Sequence, residues 1–225
     1  MSYYPIFIEL EGKRVLVVGG GGVAQRKVET LLRFGAIIHI VSRELTHKLK
    51  KLVETNEVQH VGKAFKDEHL DGAFLVIAAT DDKRLNHHVS QSARKRHLLI
   101  NAVDQPSDCN FIVPSIVNRG DLLVAISTSG KSPALAMKIR KQLEVQFGTE
   151  YETFLVMMNR LRKEIMSLGL PQEENSRLFH EIVNSDILKF IAQDNLEGVA
   201  AILRRILPDD LVNKVSKMVK ENQRV

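Results

Sequence analysis

Four consecutive glycines, Gly19, Gly20, Gly21 and Gly22, join an apolar run to an amphipathic one, and this junction constrains the fold more than any other feature. Residues 14–18 are almost wholly apolar and do not alternate, as expected for a short parallel strand buried on both faces. Residues 23–34 carry Val23, Ala24, Val28, Leu31 and Leu32 at helical spacing and stop at Gly35. A strand that turns on glycine straight into a helix opens a βαβ unit. Read as G-x-G-x-x-A, Gly19 permits the tight turn, Gly21 lets the backbone approach a pyrophosphate, and Ala24 keeps the helix close to the sheet. The helix start at Gly22 and Val23 offers free amides and a positive partial charge to the phosphates.

The alternation continues for about 110 residues, as a parallel sheet covered on both faces requires. Strands are expected at residues 36–41, weakly near Val58, strongly at 73–79, and at 98–100. Helices are expected at 44–54 and 82–96. After Asn101 the pattern changes: residues 111–113 and 122–126 read as strands around a turn at 118–121. Ser132 and Pro133 then open a helix as N-cap and first residue. From there the pattern is helical to Val225, broken at residues 169–171 and 207–208. The fold class is therefore α/β, a Rossmann-type sheet with an appended helical module.

Composition excludes several classes. No apolar run approaches the roughly 20 residues of a membrane span, so no membrane partner is expected. The first ten residues carry Glu9 and lack the charged-then-apolar order of a signal peptide. Cys109 is alone, so no internal disulfide forms, and the cytoplasm is the expected compartment. The eight histidines are scattered, with no compact ligand set, so no metal site is assigned. Net charge is +5, Trp is absent, and no basic cluster is interleaved with aromatics, so nucleic acid is not an expected partner.

Candidate site residues lie where expected strands end, the edge at which open α/β sheets bind ligands. After the second strand come Ser42, Arg43 and Glu44: Glu44 suits the ribose hydroxyls of NAD, Arg43 the phosphate of NADP, and Glu44 equally suits the next helix's N-terminus. After the fourth come Thr80 and Asp81, bounding a cofactor pocket, with Asp82 a cap for the following helix. Asn101 and Asp104 follow the fifth, beside where a nicotinamide would lie. There a carboxylate in partly apolar surroundings acts as general acid or base, or else Asp104 caps a turn before Pro106. Ser127, Thr128, Ser129, Gly130, Lys131 and Ser132 form a hydroxyl- and glycine-rich loop that reads as an anion site or as plain helix capping; it lacks the P-loop spacing. His87 and His88 read as surface residues and Cys109 as a small buried one.

These segments also stand in a familiar order. Pro5-Ile-Phe, residues 12–27 around the glycines, Ala78-Ala-Thr-Asp-Asp82, Asn101-Ala-Val-Asp104, Phe111-Ile-Val-Pro-Ser115 and Ser127-Thr-Ser-Gly-Lys-Ser-Pro133 resemble the siroheme-synthase N-terminal family over residues 3–145. That resemblance implies NAD-dependent dehydrogenation of precorrin-2 to sirohydrochlorin, with Asp104 taking the proton and the 127–132 loop meeting an anionic tetrapyrrole. It implies a stand-alone member, divided into a Rossmann domain over 1–113, a dimerisation segment over 114–147 that pairs two subunits of a homodimer, and a helical domain over 148–225. Some members also insert iron; the lack of a compact ligand set favours a dehydrogenase alone, with a dehydrogenase–ferrochelatase or a nucleotide-sensing module as the alternatives.

Overall fold

A computed structural model describes residues 3–212 and residue 214. The chain divides into two compact units, one ending at Val113 and the next beginning at Pro114.

In the first unit, five parallel strands make one sheet: β1 (Arg14–Val18), β2 (Ile37–Val41), β3 (Val58–Gly62), β4 (Leu75–Ala78) and β5 (Leu99–Ala102), in the order β3-β2-β1-β4-β5. Helices α1 (Gly22–Leu32), α2 (His47–Glu54) and α3 (Lys83–Lys95) cross between them. Strand side chains alternate between faces, and both faces are apolar. Val15, Val17, Ile38, Ile40, Leu75 and Ile77 pack against Ala24 and Val28 of α1 and Leu49 of α2. Leu16, Val18, Val76, Ala78 and Ile100 pack on the other side against Val89 and Ala93 of α3. This double burial is why the strands read as unbroken apolar runs. Strand order reverses between β1 and β4, the crevice where such sheets hold their ligands.

In the second unit, β6 (Ser115–Arg119) and β7 (Leu122–Ile126) form an antiparallel hairpin closed by Gly120, whose φ is +60°, and Asp121. The strand expected at 111–113 lies instead at 115–119. The cause is Asn110, which occupies the open edge of β5. Its amide donates to the Ile100 carbonyl (3.0 Å), its Oδ1 accepts from the Ile100 amide (2.8 Å), and Asn101 takes the Phe111 carbonyl (3.1 Å). Those bonds commit the segment to β5, and Pro114 lacks the N–H for a ladder. Helix α4 (Pro133–Gln146) follows, with Ser132 Oγ accepting from the Leu135 amide at 3.2 Å.

The remaining helices are α5 (Glu150–Ser167), α6 (Gln172–Val183), α7 (Ile187–Ala192) and α8 (Leu196–Ile206). Phe154, Met157, Leu161 and Ile165 make one buried stripe along α5, packed with Leu178, Ile182, Val199 and Leu203. Beyond the expected breaks, the helices also stop at residues 147–149, 184–186 and 193–195. At the last of these Asp194 has φ +53° and Asn195 caps α8 through the Gly198 amide (2.9 Å). The end of the helical pattern, residue 213 and residues 215–225, lies outside the described residues. Among the described residues no helix is long and apolar enough to cross a membrane.

Candidate active site

The candidate residues of the first unit gather at the carboxyl edge of the sheet, and backbone bonds carry the strand ladder on into the loops. Gly19 donates to the Val41 carbonyl (2.9 Å), Ala79 to Val18 (2.7 Å) and Val103 to Ala78 (2.9 Å). The loops leaving β1, β2, β4 and β5 are thus tied to their neighbours.

Each glycine of the turn has its own reason. Gly19 has φ +122°, and a Cβ there would lie 2.2 Å from the Ala79 carbonyl oxygen. At Gly20 a Cβ would lie 2.0 Å from the Glu44 carbonyl oxygen, and its own carbonyl accepts from the Thr46 amide (3.0 Å). So Gly20, which the G-x-G-x-x-A reading leaves as a free position, is fixed by the β2 exit. Gly21 is the N-cap of α1, with no side-chain cap and nothing within 4 Å of its Cβ position. The space above it is open, and the first-turn amides of Gly22, Val23 and Ala24 have no partner within the helix. An open, uncapped helix start with no side chain in the way suits a pyrophosphate.

At the β2 exit, Ser42 Oγ donates to the Glu44 carbonyl (2.6 Å) and the Ser42 carbonyl meets His60 Nε2 (2.9 Å). The helix expected from residue 44 begins at His47, because Thr46 is its cap: Thr46 Oγ1 accepts from the Leu49 amide (3.2 Å) and donates to Gln25 Oε1 (2.7 Å). Glu44 therefore stands in the turn, exposed like Arg43. Both line a groove of about 520 Å³ with Lys50, Glu54 and His60, which presents both signs of charge.

At the β4 exit, Asn86 on α3 is 1% exposed and holds Thr80 in a closed knot. Its Oδ1 accepts from Thr80 Oγ1 (2.7 Å) and the Thr80 amide (3.2 Å), while Nδ2 donates to the Thr80 carbonyl (2.9 Å). Asp82 caps α3 through the amides of Arg84 (2.8 Å) and Leu85 (3.1 Å), and Asp81 is exposed. Asn86 was not visible as a site residue, since a buried asparagine in a helix has no distinguishing sequence pattern.

At the β5 exit, Asn101 pairs with Ile77 in the ladder and is half-buried; its Nδ2 donates to the Phe111 carbonyl. Asp104 follows in a turn closed by the Gln105 amide on the Ala102 carbonyl (3.3 Å), with φ +59°. Its carboxylate is exposed in the chain rather than set in the partly apolar surroundings expected for it.

Cys109, 7% exposed, exchanges hydrogen bonds with the Ala102 amide and carbonyl (3.2 Å each). Burial pushes its thiol above the usual range. We therefore expect a thiol-disulfide reagent to label the native chain roughly 10²-fold more slowly than the denatured one, the cost of opening a packed segment. Equal rates would contradict this placement.

In the second unit, the 127–132 loop spends its hydroxyls on its own turn. Ser127 Oγ accepts from the Ser129 amide (3.0 Å), Thr128 Oγ1 from the Ser132 amide (3.1 Å), and Ser132 caps α4. Ser129 and Gly130 take φ +53° and +77°. Lys131 is exposed, and each hydroxyl keeps its O–H for an outside acceptor. Among the described residues no three His, Cys, Asp or Glu side chains gather as a metal site.

Comparison with known proteins gives consistent matches. Residues 6–115 match a family model described as putative NAD(P)-binding, and residues 119–146 one described as sirohaem biosynthesis protein central. A siroheme synthase of Photorhabdus laumondii is 40% identical over 197 residues, covering 88% of this chain and 42% of the relative. One of Photobacterium profundum is 47% identical over 144 residues, covering 64% and 31%. The chain thus spans less than half the length of these curated relatives. Among solved structures, SirC, a precorrin-2 dehydrogenase, superposes with a TM-score of 0.72 at 26% identity, over 88% of this chain and 100% of that one. The first unit is a nicotinamide-cofactor domain, followed by a segment that matches the sirohaem-biosynthesis central model. With both modules present in order, the chain resembles the siroheme-synthase N-terminal family over most of its length.

Proposed function

We propose that the chain dehydrogenates precorrin-2 to sirohydrochlorin, with NAD⁺ as the hydride acceptor and Asp104 as the group that takes the proton. The observation that carries this reading is the placement of Asp104. It is an exposed carboxylate at the exit of β5, on the same sheet edge as the open glycine turn at Gly21. The amides of Gly22, Val23 and Ala24 hold the pyrophosphate, and Gly19 keeps their turn tight. Ser42, Arg43 and Glu44 border the adenosine ribose; Thr80, Asp81 and Asn101 wall the pocket toward Asp104. The substrate is a polyanion, and the 127–132 loop with Lys131 supplies hydroxyl donors and a cation for its carboxylates.

Two subunits pair through the central segment in this reading. It is supported by Leu135, Met137 and Val145, which stand 48%, 51% and 86% exposed on α4, an uncommon investment of apolar surface in one helix. The dimer acts in the cytoplasm, without membrane or nucleic-acid partners. The test is cofactor reduction by the purified chain when precorrin-2 is supplied anaerobically. NADH and sirohydrochlorin appearing together support the reading, and cofactor binding without reduction overturns it in favour of a sensor.

In this reading NAD⁺ is the preferred cofactor on the strength of the family resemblance, with Glu44 open to its ribose hydroxyls and Arg43 the residue that would favour NADP⁺. We expect KM for NAD⁺ to lie below that for NADP⁺ at similar kcat, and Arg43→Ala to leave that order intact. A lower KM for NADP⁺, erased by Arg43→Ala, would reverse the assignment.

A further inference from the structure

The segment that follows Asp104 is fastened to α3 far more heavily than a surface loop needs. Residues 106–108 form one 3₁₀ turn, and four side chains on one face of α3, at positions 87, 90, 91 and 94, serve the fastening. Asp108, 7% exposed, is its centre. Its Oδ1 is 2.8 Å from His87 Nδ1, its Oδ2 accepts from Gln105 Nε2 (2.9 Å), and its carbonyl accepts from Ser90 Oγ (2.6 Å). Arg94 Nη2 donates to the carbonyls of Ser107 (3.1 Å) and Cys109 (2.7 Å). Gln91 Nε2 lies 2.9 Å from His87 Nε2, and an amide can only donate there, so the His87 proton sits on Nδ1 and points at Asp108. On the other side of Asp104, Val103 is tied to Ala78.

Asp104 itself has no such hold. Among the described residues none donates a hydrogen bond to its carboxylate, its backbone is in the left-handed region (φ +59°), and its side chain is exposed. A non-glycine residue stays in that region only when its surroundings over-determine it. What over-determines it is the pair of anchors on either side.

We propose that Asp108 is the positioning residue for Asp104: gripped by His87 and Gln105, its buried carboxylate clamps the 105–109 segment to α3 and fixes where the Asp104 carboxylate stands on the sheet edge. This rests on the reading of Asp104 as the proton acceptor. A misplacement of about 1 Å remote from the chemistry costs about 10²-fold in rate. Asp108→Ala is therefore expected to lower kcat by roughly 10- to 100-fold while KM for NAD⁺ stays within about twofold, since the glycine turn is untouched. His87→Ala, at a side chain 54% exposed and so leaving no cavity, should do the same to a smaller extent.

The decisive measurement is a double-mutant cycle on the full chain, with kcat for precorrin-2 oxidation as its readout. A residue that acts only through Asp104 has nothing left to lose once Asp104 is gone. Asp104→Asn combined with Asp108→Ala or with His87→Ala should be no slower than Asp104→Asn alone. If Asp104→Asn is slow and the losses multiply in either double variant, Asp108 acts elsewhere and this inference is overturned by itself. If Asp104→Asn turns over like the wild type, the assignment of Asp104 falls first and the inference falls with it. A merely structural role would give a lowered Tm with kcat unchanged in the folded fraction, which also overturns it.

Discussion

Replacing Asp104 with asparagine should leave NAD⁺ binding nearly unchanged and lower dehydrogenase turnover by about 10²–10⁴-fold, the usual worth of a positioned general base. Asparagine preserves the side chain's shape and can hold the same turn, so the loss reports the proton-accepting oxygen and not the backbone. Binding should be spared because the proposed pyrophosphate site is the turn after β1, while Asp104 follows β5. The check is kcat with precorrin-2 beside a direct titration of NADH binding. Near-wild-type turnover would remove Asp104 from the mechanism.

The second large effect is expected at Gly19, with Gly21 as its contrast. Gly19→Ala would force a Cβ to within 2.2 Å of the Ala79 carbonyl oxygen at φ +122°. Neither backbone can retreat, because Ala79 donates to Val18 in continuation of the β1–β4 pairing and Gly19 donates to Val41 in continuation of the β1–β2 pairing. Backbone strain of about 1–3 kcal/mol and overpacking of about 1–3 kcal/mol together take a large share of a typical stability of about 5–15 kcal/mol. At about 2–4 °C per kcal/mol for a chain this size, Tm should fall by roughly 10 °C. Gly21→Ala differs: its φ is −81° and nothing lies within 4 Å, so the fold should melt as the wild type does. Its new methyl would stand where the pyrophosphate approaches, and the Kd for NADH should rise by about tenfold or more. A Gly19→Ala variant with native Tm, or a Gly21→Ala variant with native affinity, would contradict this division of labour.

What the residues declared in advance follows from double burial. β1 and β4 are apolar on both faces because helices cover both, so their runs were plain, and the glycine turn marked which helix they feed. The β6 strand was misplaced onto 111–113, since nothing local reveals that Asn110 and Asn101 bind that segment to β5. The start of α2 was similarly read three residues early: Glu44 is a fair first-turn residue, but Thr46 had the better hydroxyl and the Gln25 partner. Candidate site residues at strand exits were legible because topology alone puts them on one edge. Their supports were not. Asn86 and Asp108 matter through contacts with Thr80 and His87, the latter 21 positions apart, and such pairs leave no spacing to detect.

The proposed function requires this sheet edge to carry out one two-electron oxidation. Its most direct test is a single-turnover experiment with enzyme in excess over precorrin-2 and NAD⁺ saturating, following NADH and sirohydrochlorin together. One NADH should form per sirohydrochlorin, both rising with the same rate constant and both suppressed in Asp104→Asn. Sirohydrochlorin forming at the same rate without NAD⁺, or NAD⁺ bound but never reduced, would contradict it.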